Sequence, residues 1–227
     1  MTSQKVQKKA DITRNLILDK ALELFLERGF EQTTMRAIAE EAGMSLGASY
    51  YHFRSKEDLV MAFYERIAFD ARHRNIEQMG KSRDFKKRFT AVLDYKHTQL
   101  SPYRCLVSVL ARQAGQLNHP LSPFSRDTQH LRDDAIGLIE YAVEGSTLKV
   151  SKILRPHIAK MLWLYQMGII LFWANDASRN QTKTKDLISL SLNLIVRLLR
   201  FSSLPFMKPV NSSAVKIMRL IESANEA

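Results

Sequence analysis

Apolar residues along this chain recur three and four positions apart, and strand-like alternation nowhere persists beyond a few residues. The pattern predicts an all-α protein. From about Asp11 to Arg28, Ile17, Ala21, Leu24 and Phe25 share one helix face, Gly29 supplies the C-terminal stop, and Phe30 is placed to plug a small core. The residues before it, to about Ala10, read as a disordered basic arm with Lys5, Lys8 and Lys9. Thr33 and Thr34 then open a second helix with Met35, Ile38, Ala39 and Ala42 on one stripe, stopped by Gly43. Met44 tucks under the turn, Ser45 caps a third helix, and Met44 and Phe53 are expected to be buried. Ser55 and Asp58 read as a capping box for a long helix towards Met79, with Leu59, Phe63, Ile67 and Ala71 on one side.

The second half continues the period. A helix over about Asp84–Leu100 carries Phe85, Phe89, Val92, Leu93 and Lys96, and Pro102 breaks it. Tyr103–Ala114 resumes with Cys105, and Gly115–Ser125 is a loop by composition. About Phe124–Val143 puts Leu131, Ala135, Leu138, Ile139 and Ala142 on one stripe ending at Gly145. Ser151–Asn175 and Lys183–Phe201 read as two long helices, made antiparallel by the short polar connection Asp176–Gln181. Leu187, Leu190, Leu194, Ile195, Leu198 and Leu199 cover more of the second of these than one packing face needs, so a second partner surface is expected. Val210–Ala224 forms a last amphipathic helix.

The stretch from Thr33 to Phe53 has the outline of a helix-turn-helix, whose second helix enters the DNA major groove. Leu46, Gly47, Ala48 and Ser49 are mostly small and permit close approach to a groove wall, while Tyr50, Tyr51 and His52 offer hydrogen-bonding groups, with Tyr50 placed to reach a phosphate. An ordinary helical hairpin with its tyrosines packed on a neighbour fits the same outline.

The run Ala42-Gly43-Met44-Ser45, Gly47, Tyr50-Tyr51-His52-Phe53 and Ser55-Lys56-Glu57-Asp58-Leu59 resembles the signature of the tetracycline-repressor-like (TetR/AcrR) regulators. Ala21-Leu22-Glu23-Leu24-Phe25, Gly29-Phe30, Thr33-Thr34 and Ile38-Ala39 match the first two helices of that family, so about fifty consecutive positions fit without a gap. The resemblance implies an N-terminal arm and three-helix DNA-binding domain over residues 1–57 and a larger effector-binding and dimerisation domain over residues 58–227. It implies a transcriptional regulator, expected to be a repressor that binds a palindromic double-stranded DNA operator as a homodimer and is released by a small molecule. A ligand-responsive activator of the same fold is the alternative. The DNA-binding residues it points to are Tyr50, Tyr51, His52 and Lys56, with Thr33, Thr34, Arg36, Ser45, Gly47 and Ala48 nearby. Dimerisation is expected through the helices near 151–175 and 183–201, which the family pairs as a four-helix interface.

Charge adds less than its size suggests. The 227 residues carry a formal +11, but residues 1–60 hold nine Lys and Arg against nine acids, so the whole excess lies further on. What bears on DNA is placement: the basic arm, and Arg36 and Lys56 at helix starts beside the proposed groove helix. A single cysteine excludes an intramolecular disulfide framework and agrees with a reducing cytoplasm, the expected location. The N-terminus has no apolar signal segment, and the longest apolar run, Met161–Ala174, is too short for a membrane span.

An inducer pocket is expected among the middle helices. Tyr103, Cys105, Trp163, Gln166, Met167 and Trp173 offer apolar and polarizable surface with few charges, which favours an apolar or aromatic effector, and plain core packing is the competing account of each. No cofactor or metal is expected: the six histidines are scattered without ligand spacing. Nor is there a phosphate loop, a nucleophile elbow or a paired carboxylate in an apolar setting, so an enzyme is not indicated. A helical adaptor that binds only protein would need neither the small-residue helix nor Lys56, and would show no salt-dependent DNA binding.

Overall fold

The computed structural model describes residues 2–114 and 119–224, without the side chains of 2–9, 71–73, 75, 112–114 and 222–224. It contains helices and no strand among the described residues. In chain order the α-helices are α1 (Thr2–Arg28), α2 (Met35–Glu41), α3 (Leu46–His52), α4 (Lys56–Gly80), α5 (Phe85–Leu100), α6 (Arg104–Ala114), α7 (Gln129–Glu144), α8 (Ile158–Asn175), α9 (Thr182–Phe201) and α10 (Lys208–Ala224).

The all-helical expectation holds, with three boundary corrections. The expected disordered arm is helical backbone: α1 begins at Thr2, because the segment upstream of Asp11 has no Gly or Pro and is rich in Lys and Gln, which propagate a helix well. The placement of its lysine side chains lies outside the described residues, as do Gly115–Asn118 of the expected loop and the Ala71 side chain. α7 begins at Gln129 rather than Phe124. Hydroxyls hold the preceding segment in turns: Thr128 Oγ1 donates to the Ser122 carbonyl at 2.6 Å and Ser125 Oγ to the Pro120 carbonyl at 3.0 Å. α8 begins at Ile158 rather than Ser151, after a 3-10 turn over Arg155–His157 that contains Pro156. Proline has no N–H to continue an α-helix and disfavours the α conformation in the residue before it.

Two core clusters organise the molecule. The first gathers Ile17, Leu18, Ile38, Phe53, Leu59 and Phe63 from α1–α4 and runs on without a break into Leu106, Val107 and Leu110 of α6 and Trp173 of α8. The N-terminal helices are therefore fused to the larger helical body. The second cluster joins Met79 at the end of α4 to α5, α7, α8 and α9, with Val215 from α10.

Arg88 ties the second cluster's ends together. It is buried, and its guanidinium donates to the carbonyls of Ala142 at 2.8 Å, Tyr141 at 2.7 Å, Ser82 at 3.1 Å and also Met79. These acceptors lie at or just beyond the C-terminal ends of α4 and α7, where unpaired carbonyls and the helix dipole favour a cation. A buried charge is thus held by backbone carbonyls, with the Tyr141 ring centroid 5.3 Å from its guanidinium carbon. Gly145, just after α7, has no Cβ because one would lie 2.2 Å from the same guanidinium.

Candidate nucleic-acid interface and effector cavity

The turn between α2 and α3 is built by backbone. Ala42 caps α2, Gly43 follows with φ +65°, its N–H donates to the Glu40 carbonyl at 3.0 Å, and Met44 N–H donates to Ala39 at 2.9 Å. This pair of bonds is a Schellman motif, and it needs the left-handed conformation that glycine adopts without strain. Ser45 then caps α3, its Oγ accepting from Ala48 N–H at 3.2 Å, as Thr34 Oγ1 caps α2 by accepting from Ala37 N–H at 3.2 Å. The angle between the two helices is therefore set by residues that the sequence shows.

On α3, Leu46, Ser49 and then Phe53 face inward, half-buried, buried and buried respectively. The opposite face is open: Gly47 is exposed, Tyr50 is 46% exposed and Tyr51 85%, with Ala48 and His52 half-buried. Tyr51 and His52 meet edge to face with ring centroids 5.2 Å apart. Thr34, Arg36 and Ser45 are exposed on the adjoining surface, so eight of the ten residues picked from the sequence share accessible surface around α3. Met44 is half-buried, less than expected.

The other two turn inward. Thr33 is buried, with its hydroxyl 2.8 Å from the Gly29 carbonyl, where it holds the α1–α2 turn. Lys56 donates from Nζ to the carbonyls of Phe30 at 2.6 Å and Glu31 at 3.3 Å and lies 4.5 Å from the Phe30 ring centroid. Both bind the loop after α1. Their residue types fit a DNA contact, but here they are engaged by the loop's backbone carbonyls.

α4 leaves this surface and reaches a large cavity. Arg14 of α1 stacks 4.8 Å from the Phe53 centroid and pairs with Glu65 of α4 at 3.7 Å, and Asp19 pairs with Arg66 at 2.5 Å. The same stretch of α4, Tyr64 to Phe69, forms one wall of a cavity of about 980 Å³. Val92 and Lys96 of α5, Val107 and Leu110 of α6, Leu131, Ala135 and Leu138 of α7, and Trp163, Gln166 and Met167 of α8 form the rest. The stripe foreseen on α7 is thus split, Ile139 and Ala142 facing core and the other three facing empty space. The cavity lies along the seam between the two core clusters.

Of the six residues picked for a pocket, Trp163, Gln166 and Met167 line this cavity. Trp173 does not; it borders a separate small void and packs on His97 with centroids 4.9 Å apart. Tyr103 packs on Phe63 at 4.6 Å, and Cys105 is exposed, so apolar type alone misassigned both. Lys96 was missed. It lies on the same helical stripe as Val92 and Leu100, and a lysine in an apolar stripe was the available signal.

The cavity's polar content is sparse. Gln166 is 2% exposed and its Oε1 has no hydrogen-bond partner. Lys96 is half-buried, and burial pulls its ammonium down to about 8 with no carboxylate acting against it. Burial also pushes the Tyr64 phenol well above its ordinary range.

Two family models match the sequence. Residues 17–63 match the bacterial regulatory proteins of the tetR family, and residues 88–214, more than half of the chain, match the tetracyclin repressor-like C-terminal domain. The chain belongs to the TetR family. It is similar to the HTH-type transcriptional regulator TtgR of Pseudomonas putida, 25% identical over 181 residues, covering 75% of this chain and 84% of that protein. It is also 41% identical over 63 residues to the regulator AcrR of Shigella flexneri, a match spanning 28% of this chain and 29% of AcrR. Among solved structures, a putative TetR-family regulator from Syntrophomonas wolfei shares the fold with a TM-score of 0.63 and 18% identity, over 82% of this chain and 95% of that one.

This TetR-family chain is accordingly a helix-turn-helix transcriptional regulator, of a family that is not one of enzymes. TetR-family regulators bind operator DNA as dimers and respond to small-molecule effectors. Leu190, Leu194, Leu198 and Phe201 form an exposed apolar stripe on α9, each at least 50% exposed, with Leu171 and Phe172 exposed on α8. No single helix among the described residues is long and apolar enough to cross a membrane.

Proposed function

We propose that this TetR-family regulator is a repressor that holds a palindromic operator through the exposed face of α3 in each subunit and is released when a small molecule fills the cavity. The observation that carries the reading is the double role of α4, which begins four residues after α3 and supplies a wall of the cavity over Tyr64–Phe69. A ligand that fits one tilt of α4 better than another shifts the population by that difference in affinity, and the separation of the two α3 helices follows. Tyr50, Tyr51, His52, Arg36, Thr34, Ser45, Gly47 and Ala48 are the residues assigned to DNA.

The test uses the full-length dimer on an operator selected from random duplexes. Small apolar compounds are screened for loss of operator-bound fluorescence anisotropy, and hits are repeated on Leu138→Trp, which fills part of the cavity. Release that disappears in the variant while DNA binding persists supports the reading. Hits that act equally on both proteins, or that tighten operator binding, contradict it, the latter favouring a ligand-dependent activator.

A further inference from the structure

The cavity wall is mostly apolar, and two of its polar groups, on α5 and α8, have a defined chemistry. Lys96 of α5 and Gln166 of α8 both border the main cavity and also the small void beside it. Gln166 is 2% exposed with an unpartnered amide oxygen, and Lys96 has no ion pair or hydrogen bond to any described residue. Leaving an ammonium in an apolar enclosure without a counter-ion costs stability, as does an unsatisfied buried amide.

A carboxylate supplies the counter-ion that Lys96 lacks and, if the Gln166 side-chain amide turns its NH2 towards it, an acceptor for that group as well. We propose that Lys96 and Gln166 form the polar end of the effector site and that the effector is an amphipathic monoanion, a carboxylate carried on an apolar chain or ring body. The carboxylate accepts from Lys96 Nζ, and the Gln166 amide, turned to present its NH2, donates to the second oxygen. The body lies along Val107, Leu110, Ala135 and Leu138. This deepens the effector reading above and rests on it.

The charged groups on the other walls do not replace Lys96. Glu65 of α4 is paired with Arg14 at 3.7 Å and with His130 of α7 at 3.6 Å, and Arg132 of α7 donates to the carbonyls of Pro123 at 2.8 Å and Ser125 at 3.2 Å. Tyr64, Tyr95 and Asp134 also border the cavity, and His97 borders the small void. Burial drives His97 towards its neutral form and raises both tyrosines, so none of these three supplies a cation near neutral pH. Among the described residues, α6 and α8 contribute no titratable group to the cavity.

The experiment titrates the full-length protein with decanoate and 2-naphthoate, each against its uncharged counterpart, decanol and 2-naphthalenemethanol, by calorimetry and by intrinsic tryptophan fluorescence. At pH 7 at least one acid is expected to bind tenfold or more tightly than its alcohol, with the preference shrinking at pH 9.5 as Lys96 loses its proton. Lys96→Met is expected to abolish the preference while keeping alcohol binding and raising the melting temperature, because a buried charge is removed. Lys96→Arg keeps the charge and should retain part of the preference, which also covers failure of the Met variant to fold. Equal or weaker binding of both acids, or a preference that survives Lys96→Met, overturns the proposal. If an alcohol alone releases operator, the anion assignment falls and the effector reading stands. If none of the four compounds binds or releases operator, the proposal fails for these bodies, and a failed library screen as well would remove the effector reading itself.

Discussion

The ammonium of Lys56 lies 2.6 Å from the carbonyl oxygen of Phe30 and 4.5 Å from the centroid of the same residue's ring. The first residue of α4 thereby clamps the loop that leaves α1, using two of its three N–H groups on the carbonyls of Phe30 and Glu31. Lys56→Ala should then lower folding stability by roughly 1–2 kcal/mol, the range for charge-assisted hydrogen bonds at a partly exposed site with a small cation–π term. Urea denaturation reads this directly. An unchanged midpoint, together with a salt slope of operator binding lower by about one, would instead make Lys56 a phosphate ligand only.

Tyr51 touches little of its own chain, being 85% exposed with His52 as its ring neighbour. Tyr51→Ala should leave the melting temperature within a degree or so of wild type and weaken operator binding by about tenfold or more, since one good contact is worth ~1–3 kcal/mol. Melting curves and anisotropy titrations on one preparation separate the two effects. A lower melting temperature with unaltered operator affinity would mean the tyrosine serves the fold.

Arg88 has the opposite signature. Four carbonyls lose this donor in Arg88→Met, and two of them belong to consecutive residues at the end of α7. Tyr141 keeps the Gly145 N–H at 3.2 Å and Met79 the Ser82 N–H at 3.3 Å, so Ala142 and Ser82 are the acceptors left short; at about 1–3 kcal/mol each, a loss of roughly 2 kcal/mol or more is expected by chemical denaturation. Gly145→Ala should destabilise in the same direction by displacing the guanidinium.

The α9 stripe tests the assembly. Leu194 is 57% exposed between Leu190 and Leu198, so a charge there disturbs little inside one subunit. Leu194→Glu is expected to give a folded monomer by analytical ultracentrifugation, with operator affinity reduced by orders of magnitude because two half-sites are no longer bound together. A variant that stays dimeric would move the interface off this stripe.

Asp176 gives a pH dependence with a definite sign. Its carboxylate accepts from Ser178 N–H at 2.9 Å, Thr184 N–H at 2.9 Å and Thr184 Oγ1 at 2.7 Å, which hold its pKa well below the ordinary carboxylate value. The folded pKa is depressed, so the stabilisation is present above the unfolded value near 4 and is lost as pH falls below it. Asp176→Asn should be less stable than wild type at pH 6, and the difference should shrink as pH is lowered through 4 towards 3. A difference that stays constant over that range would contradict the assignment.

Much of this arrangement was legible in the chain because local chemistry decides it. Gly43 announces a left-handed turn and Thr34 and Ser45 are cap residues, whereas Leu46 and Ser49, expected on the groove side for their size, turn inward with Phe53. Residues whose role depends on tertiary neighbours were not legible. Thr33 and Lys56 carry the right groups for DNA, yet both bond backbone carbonyls of the α1–α2 loop. Whether an apolar side chain faces core or cavity is likewise invisible to periodicity, as the consecutive residues Leu138 and Ile139 show. The start of α8 was misplaced because Pro156 was not weighed against a strongly apolar run.

The most direct test of the central claim is selection of bound sequences from a random duplex pool, followed by titration of the enriched site at two salt concentrations with wild type and Tyr51→Ala. The account predicts a palindrome with half-sites related by a two-fold axis, nanomolar-range binding that weakens steeply with salt, and a clear loss in the variant. A folded dimer that enriches no sequence, or an enriched site bound equally well by Tyr51→Ala, Tyr50→Ala and Arg36→Ala, would contradict the assignment of the α3 face to DNA.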